Sequence, residues 1–296
     1  MKRWTVLALA ALLSCALLPG PAFASGDRLL RAYVSILPQA YFVSRVGGPA
    51  VEVKVLVGPG QSHETYEPTP RQIASLAKTD VYFTIGAPFE KNLVGKVRGM
   101  FPRLAIVDAG AGVPLVSFAP GSGERGLDPH IWLDPKRARA IAQNVCKGLK
   151  NIDPRRAGEY DRNLGRLLKD LSSLDTELAR ILAPVKGKTI YVFHPAFQYF
   201  CLSYGLRQEA FEVEGKEPTA RQTAKLIGRA RQEGVRVVFV QPQFSRKSAS
   251  AIARAIGGRV VTLDPLPGDY PKDMKTLAMA VRDSFRETGN KRGANP

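Results

Sequence analysis

The chain predicts an α/β fold: two βα lobes with mainly parallel sheets, joined by one long spine helix. Three observations carry this expectation. Short β-branched apolar runs alternate with amphipathic helical runs, the pattern of βα units around parallel sheets. One long leucine-periodic segment interrupts that alternation near the middle. A short motif ahead of that segment recurs after it.

The strand-like runs are 29–36, 51–57, 80–84 and 104–108, then 189–193, 208–212, 236–241 and 259–263. Helical periodicity lies between them, as at 70–78, 136–150, 220–233 and 246–256. In the middle, Asp153 reads as an N-cap with Pro154 at the first helical position. Leu164, Leu167, Leu168, Leu171, Leu174, Leu178 and Leu182 follow at spacings of three and four, and Pro184 ends the run. A helix of that length spans ~40 Å, enough to cross a lobe. The repeated motif is Glu67-Pro68-Thr69-Pro70-Arg71-Gln72 and Glu217-Pro218-Thr219-Ala220-Arg221-Gln222. In each copy Thr is placed to cap the helix that follows.

The amino terminus reads as an export signal. Lys2 and Arg3 precede an uncharged apolar run from Trp4 to Leu18, and Ala22-Phe23-Ala24 supplies a small-residue cleavage site before Ser25. The run is short for a bilayer span. Leu12-Leu13-Ser14-Cys15 offers a lipobox as the alternative, with Cys15 carrying lipid. The expected organisation is 1–24 signal peptide, 25–152 first lobe, 153–184 linking helix and 185–296 second lobe. The expected location is the periplasm.

Forty-three Lys and Arg face 26 Asp and Glu in 296 residues, a formal charge of +17. The cations form no dense run with aromatic interleaving, and with an export signal this excludes a nucleic-acid binder. A cationic ligand gains nothing from such a field, so local carboxylates and imidazoles must capture it. The charge suits docking on an anionic membrane or permease, and it suits solubility equally. Cys146 and Cys201 read as buried free thiols in different lobes. No P-loop is present, so ATP hydrolysis belongs to a partner.

The chain has three histidines, and each stands in a loop beside a strand-like run. His63 follows run 51–57, His194 ends run 189–193, and His130 lies in Asp128-Pro129-His130-Ile131-Trp132-Leu133-Asp134-Pro135. Asp264 follows run 259–263 in the same way. Ligands of open parallel sheets bind outside the carboxyl ends of the strands. Three imidazoles and one carboxylate suit a four-coordinate site for zinc or a related metal. Glu64 is the alternative carboxylate, and Tyr66, Glu67 and Trp132 read as supporting residues. His63-Glu64-Thr65-Tyr66-Glu67 begins like HExxH but has Glu in place of the second His. Gly121-Ser122-Gly123-Glu124-Arg125-Gly126 matches GxGxxG without a strand before it.

Over essentially the whole mature chain the sequence resembles the metal-binding family of ABC-importer solute-binding proteins. That family holds zinc- and manganese-binding lipoproteins and periplasmic proteins. The motifs are SHETYEPTP (62–70), DPHIWLDP (128–135), FHPAFQYFCLSYGL (193–206), EGKEPTARQ (214–222) and TLDPL (262–266). The resemblance implies metal ligands at His63, His130, His194 and Asp264, and two α/β lobes joined by a long helix. It implies a monomeric binder, not an enzyme, that delivers its metal to an inner-membrane ABC permease with a cytoplasmic ATPase. Zn2+ is the expected substrate, with Mn2+ or Fe2+ as alternatives. The segment 111–127 contains no His, unlike the His-rich loop of many zinc members. Manganese-preferring members tend to carry Glu where this chain has His194, and imidazole there favours zinc. A secreted zinc hydrolase with Glu64 as general base is the rival from another class, and an adhesin with a structural metal is a third reading.

Overall fold

The computed structural model describes residues 28–118, 126–212 and 219–289. The export signal, Cys15 and all but the last residue of the GxGxxG stretch lie outside these ranges. In chain order the first half has β1 (Leu30–Ile36), α1 (Leu37–Gly47), β2 (Val51–Val57), α2 (Pro70–Leu76), β3 (Val81–Thr84), α3 (Glu90–Met100), β4 (Ala105–Asp108) and α4 (Pro135–Ile152). Helix α5 (Ala157–Leu182) follows. The second half has β5 (Thr189–Val192), α6 (Gln198–Ser203), β6 (Arg207–Ala210), α7 (Ala220–Gln232), β7 (Val237–Val240), α8 (Arg246–Ala255), β8 (Arg259–Thr262) and α9 (Tyr270–Gly289).

Every pairing between these eight strands is parallel, and the two sheets share one plan, β2-β1-β3-β4 and β6-β5-β7-β8. The repeated motif has a structural counterpart. Thr69 and Thr219 each accept from the backbone N–H of the Gln three residues on, at 3.3 Å, and that Gln's Oε1 accepts from the Thr N–H at 2.9 Å. Two orphan donors are satisfied at each helix start.

The second sheet is covered on both faces, and its strands sort accordingly. Ile190, Val192, Val237 and Phe239 join the large core that also holds the first sheet and α5. Tyr191, Phe193, Val238 and Val240 face the other way, under Ala230, Ala249, Ile252 and Ala253 of α7 and α8. These two helices form an outer layer on one face, as right-handed crossovers in the same direction require.

Helix α5 runs 26 residues, roughly 39 Å at 1.5 Å per residue, with a 3-10 turn at each end. Leu167, Leu171, Leu174, Leu178 and Leu182 are buried, one every turn. Its start differs from the expected cap. Asp153 begins the 3-10 turn Pro154–Arg156 without a side-chain bond to the backbone. Its carboxylate is taken instead by Arg156 and by the Tyr160 hydroxyl. Helix α9 returns to the first lobe. Tyr270 stacks on Tyr41, meets Phe42 edge-on, and donates to the Trp132 carbonyl at 2.6 Å. Cys146 and Cys201 are buried free thiols on α4 and α6. Among the described residues no helix is long and apolar enough to cross a membrane.

Leu171→Ala empties a buried position on the helix that joins the lobes. The expected loss of unfolding free energy is about 2–5 kcal/mol, and chemical denaturation measures it. A loss below about 1 kcal/mol would mean that α5 is not part of the common core.

Candidate metal centre

The loop after β2 delivers the first imidazole. Gly58 donates to Gln61 Oε1 at 2.8 Å and Gln61 returns a bond to the Gly58 carbonyl at 3.2 Å. This closes a turn in which Gly60 has φ +74°, a conformation that glycine adopts without strain. The chain leaves it aimed back toward the cleft with His63 buried.

The second imidazole sits in a segment that two Asp-Pro steps define. Asp128 Oδ1 accepts from both the backbone N–H and the Nδ1 of His130, at 2.9 and 2.7 Å. The turn Ile131–Leu133 buries its three side chains, and Asp134 then caps α4 by accepting from Lys136 N at 3.0 Å. Asp128, His130, Trp132 and Asp134 are completely buried.

The third imidazole is clamped by three strand ends of the other lobe. His194 N donates to Gln241 Oε1, and Gln241 Nε2 donates to the His194 carbonyl at 2.6 Å. His194 Nδ1 lies 2.5 Å from Glu212 Oε2, and the ring stacks on Phe244 with centroids 5.0 Å apart. Gln241 follows β7 and Glu212 follows β6, so the sheet itself sets the ring's position.

Asp128 and Glu212 therefore stand behind two imidazoles, holding the proton on Nδ1 and turning Nε2 outward. Such carboxylate–histidine pairs orient metal ligands and raise their basicity. The Nε2 atoms of His63 and His130 approach to 3.0 Å. Glu64 Oε1 lies 3.3 Å from His63 Nε2 and 3.6 Å from both His130 Nε2 and His194 Nε2. For zinc–ligand bonds near 2.1 Å the edge of a tetrahedron is about 3.4 Å, so the separations among His63, Glu64 and His130 suit ligands of one cation. Buried His194 Nε2 has no hydrogen-bond partner, an orphan that a cation would satisfy.

The set is asymmetric. His63, Glu64 and His130, all from the first lobe, offer ligand atoms within 4.8 Å of one another. His194 stands at the edge of this trio and meets it through Glu64. Asp264 is not brought to it. That side chain is exposed, and its Oδ1 accepts from Leu266 N at 2.9 Å and from Gln243 Nε2 at 3.5 Å, within its own lobe. Sequence reasoning singled out neither Asp128 nor Glu212 for a role. The strand-end position that Glu212 shares with His194 was the available signal.

The electrostatics follow the geometry. Burial drives the His63 imidazole down to about 4, against the opposing pull of Glu64. Burial acts on His194 too, but the carboxylates of Glu212 and Glu64 overcome it and raise that group to about 9. Burial alone would raise Glu64, yet His194 and His63 hold its carboxyl well below the usual range.

Comparison with known proteins gives a consistent picture. The family described as periplasmic zinc-uptake complex component A matches residues 33–284. A crystal structure of ZnuA is 36% identical, with TM-score 0.82, over 86% of this chain and 98% of that one. A zinc-bound deletion mutant of ZnuA is 37% identical, with TM-score 0.81 and the same shares. The zinc-binding lipoprotein AdcA of Streptococcus pneumoniae is 25% identical over 263 residues, which cover 84% of this chain. The chain spans about half of that relative, 52% of its length.

The raised His194 carries a prediction for the metal-free protein. A group whose folded value, about 9, exceeds its unfolded value of about 6.5 stabilises the fold fully below the lower value. That contribution is lost as pH rises through about 9. Metal-free protein should therefore lose stability between pH 7 and 9, and His194→Gln should flatten that decline. An unchanged slope in the variant would show that His194 is neutral at pH 7.

Proposed function

The chain belongs to the family of the periplasmic component A of zinc-uptake complexes, and from that premise we propose that it captures one Zn2+ outside the cytoplasm and delivers it to an ABC permease. The observation that carries this reading is the convergence of three buried imidazoles on one carboxylate, with carboxylates behind two of the rings. The proposed ligands are His63, His130, His194 and Glu64, with Asp264 as the alternative carboxylate. Imidazoles of borderline softness favour zinc over harder cations such as manganese. The metal is cargo, bound and released unchanged.

The steps follow from the lobes. The first lobe presents His63, Glu64 and His130 as a gathered anionic face, which receives the hydrated ion first. His194 arrives from the second lobe and closes the coordination sphere. Closing it costs the His194 proton, because a protonated Nε2 cannot bind metal. Release is the reverse: parting the lobes withdraws one ligand and leaves the ion on the weaker first-lobe set. A hydrolase would need an open metal position beside a general base, and here the candidate base is the carboxylate already against all three Nε2 atoms. The proposed partners are a membrane permease and its cytoplasmic ATPase, and the proposed location is the periplasm.

Chelator competition on single variants tests the assignment. His63→Ala and His130→Ala should weaken zinc binding most, and His194→Ala should leave a residual site on the first lobe. Asp128→Asn and Glu212→Gln should cost about 10–100-fold each, as removal of such supporting carboxylates does. Glu64→Ala should cost more than Asp264→Ala. The reverse order would return the fourth position to Asp264, and full affinity in any His variant would overturn the site.

A pH series makes a separate test. Below pH 9 each lost unit should weaken zinc binding by about tenfold for the one proton displaced from His194. Affinity independent of pH from 6 to 8 would refute the proton displacement.

A further inference from the structure

The chain's positive charge is not evenly spread. Between Thr219 and Thr262 there are nine Lys and Arg, and Glu233 is the one acidic residue. This stretch holds α7, β7, α8 and β8, and its two helices form the outer layer of the second lobe. Arg221 and Lys225 on α7, and Arg246, Lys247 and Arg254 on α8, are all exposed. Among the described residues none of these five has a carboxylate partner, whereas Arg229 pairs with Glu209 and Arg231 ties α7 to the Ala255 carbonyl at the end of α8. Arg231 thereby links α7 to the end of α8 within this cationic layer.

What the layer fits follows from what it lacks. Among the described residues the large exposed apolar side chains are Leu29, Met100, Leu115, Leu127, Leu202 and Met279, and none lies on α7 or α8. A stable protein interface needs an apolar or aromatic core inside its polar rim. A face of unpaired cations, broad and without apolar anchors, suits a surface that is itself broad and uniformly anionic. We propose that the α7–α8 layer is an electrostatic docking surface for anionic phospholipid headgroups. Each Lys or Arg near an anionic bilayer contributes about 1 kcal/mol, and the attraction decays within a Debye length of about 10 Å. Five exposed side chains on one helical layer are therefore enough for reversible, salt-sensitive adsorption without insertion. The cations also lie outside the cluster of His63, Glu64 and His130, so adsorption makes no demand on the metal ligands.

The test uses the full mature chain, metal-free and zinc-loaded. Co-sedimentation is compared between vesicles of phosphatidylcholine alone and vesicles of phosphatidylcholine with an equal part of phosphatidylglycerol. The expected result is binding to the mixed vesicles only, abolished by about 0.5 M salt, which shortens the screening length to a few Å. A quadruple variant, Arg221→Gln, Lys225→Gln, Arg246→Gln and Lys247→Gln, should lose at least tenfold in vesicle affinity with unchanged circular dichroism and zinc affinity. A control variant carries four Lys or Arg to Gln changes on first-lobe helices, at Lys91, Lys96, Arg98 and Lys147, and should bind as wild type does. Equal loss in both variants would reduce the effect to net charge and overturn the proposal. So would failure of the wild-type chain to bind mixed vesicles, or equal binding to neutral ones. Loss of zinc binding with vesicle binding intact would instead concern the metal site alone.

Discussion

The metal centre depends on one cross-lobe attachment, the grip of the second lobe on the segment that carries His130. Trp132 donates its indole N–H to the Pro265 carbonyl at 2.6 Å, and Tyr270 donates to the Trp132 carbonyl. On the other side Tyr199 of α6 donates to the Asp128 carbonyl at 2.7 Å and accepts from Val116 N at 3.1 Å. The first lobe's ligand loop is thus held by groups that follow β5 and β8. The bonds to the Pro265, Trp132 and Asp128 carbonyls are buried, so releasing one leaves an unpaired group that costs about 1–3 kcal/mol. That penalty keeps His194 at the edge of the first-lobe trio. The long α5 helix sets the distance between the lobes, and the Trp132 segment sets their register.

In a chain of formal charge +17 the candidate site makes its field local. Asp128 and Glu212 are almost fully buried, and Glu64 points between the imidazoles. A buried carboxylate is costly unless paired, and in this site each one is paired with a ring. Asp128 and Glu212 spend their charge on Nδ1 protons, which fixes the tautomer. Glu64 keeps its charge toward the space between the Nε2 atoms. The exposed cations of the α7–α8 layer lie outside the cluster of His63, Glu64 and His130.

The two halves share strand order and capping motif, yet they contribute unequally. In both, a glutamine bridges the crevice between the two central strands. Gln39 accepts from Ser35 N and Ile36 N and donates to the Phe83 and Thr84 carbonyls. Gln241 makes the corresponding two-way bond with His194. The first crevice is thereby plugged, with Glu90 capping the Ile85 and Gly86 amides beside it at 3.0 and 2.7 Å. The second is occupied by the ligand itself. The candidate site therefore falls between the two halves, with His63, Glu64 and His130 from the first and His194 from the second.

The amino-acid sequence by itself determined the elements and the three imidazoles. Period-2 and period-3.6 patterning is a local property, so all eight strand-like runs, the leucine spine and the Thr69 and Thr219 caps were legible within a few residues' reach. Histidines at strand ends were legible as candidates because parallel sheets present ligands there. Only the tertiary structure shows which carboxylate lies against them. Asp264 and Glu64 are both acidic residues near a strand end, and nothing local separates them. The turn at Gly58–Gln61 sends Glu64 into the cleft, while Leu266 and Gln243 hold Asp264 in its own loop. The roles of Asp128 and Glu212 were hidden for the same reason. Each acts on a ring nitrogen whose direction is set by packing, and packing is a relation between distant segments that no short stretch of sequence contains.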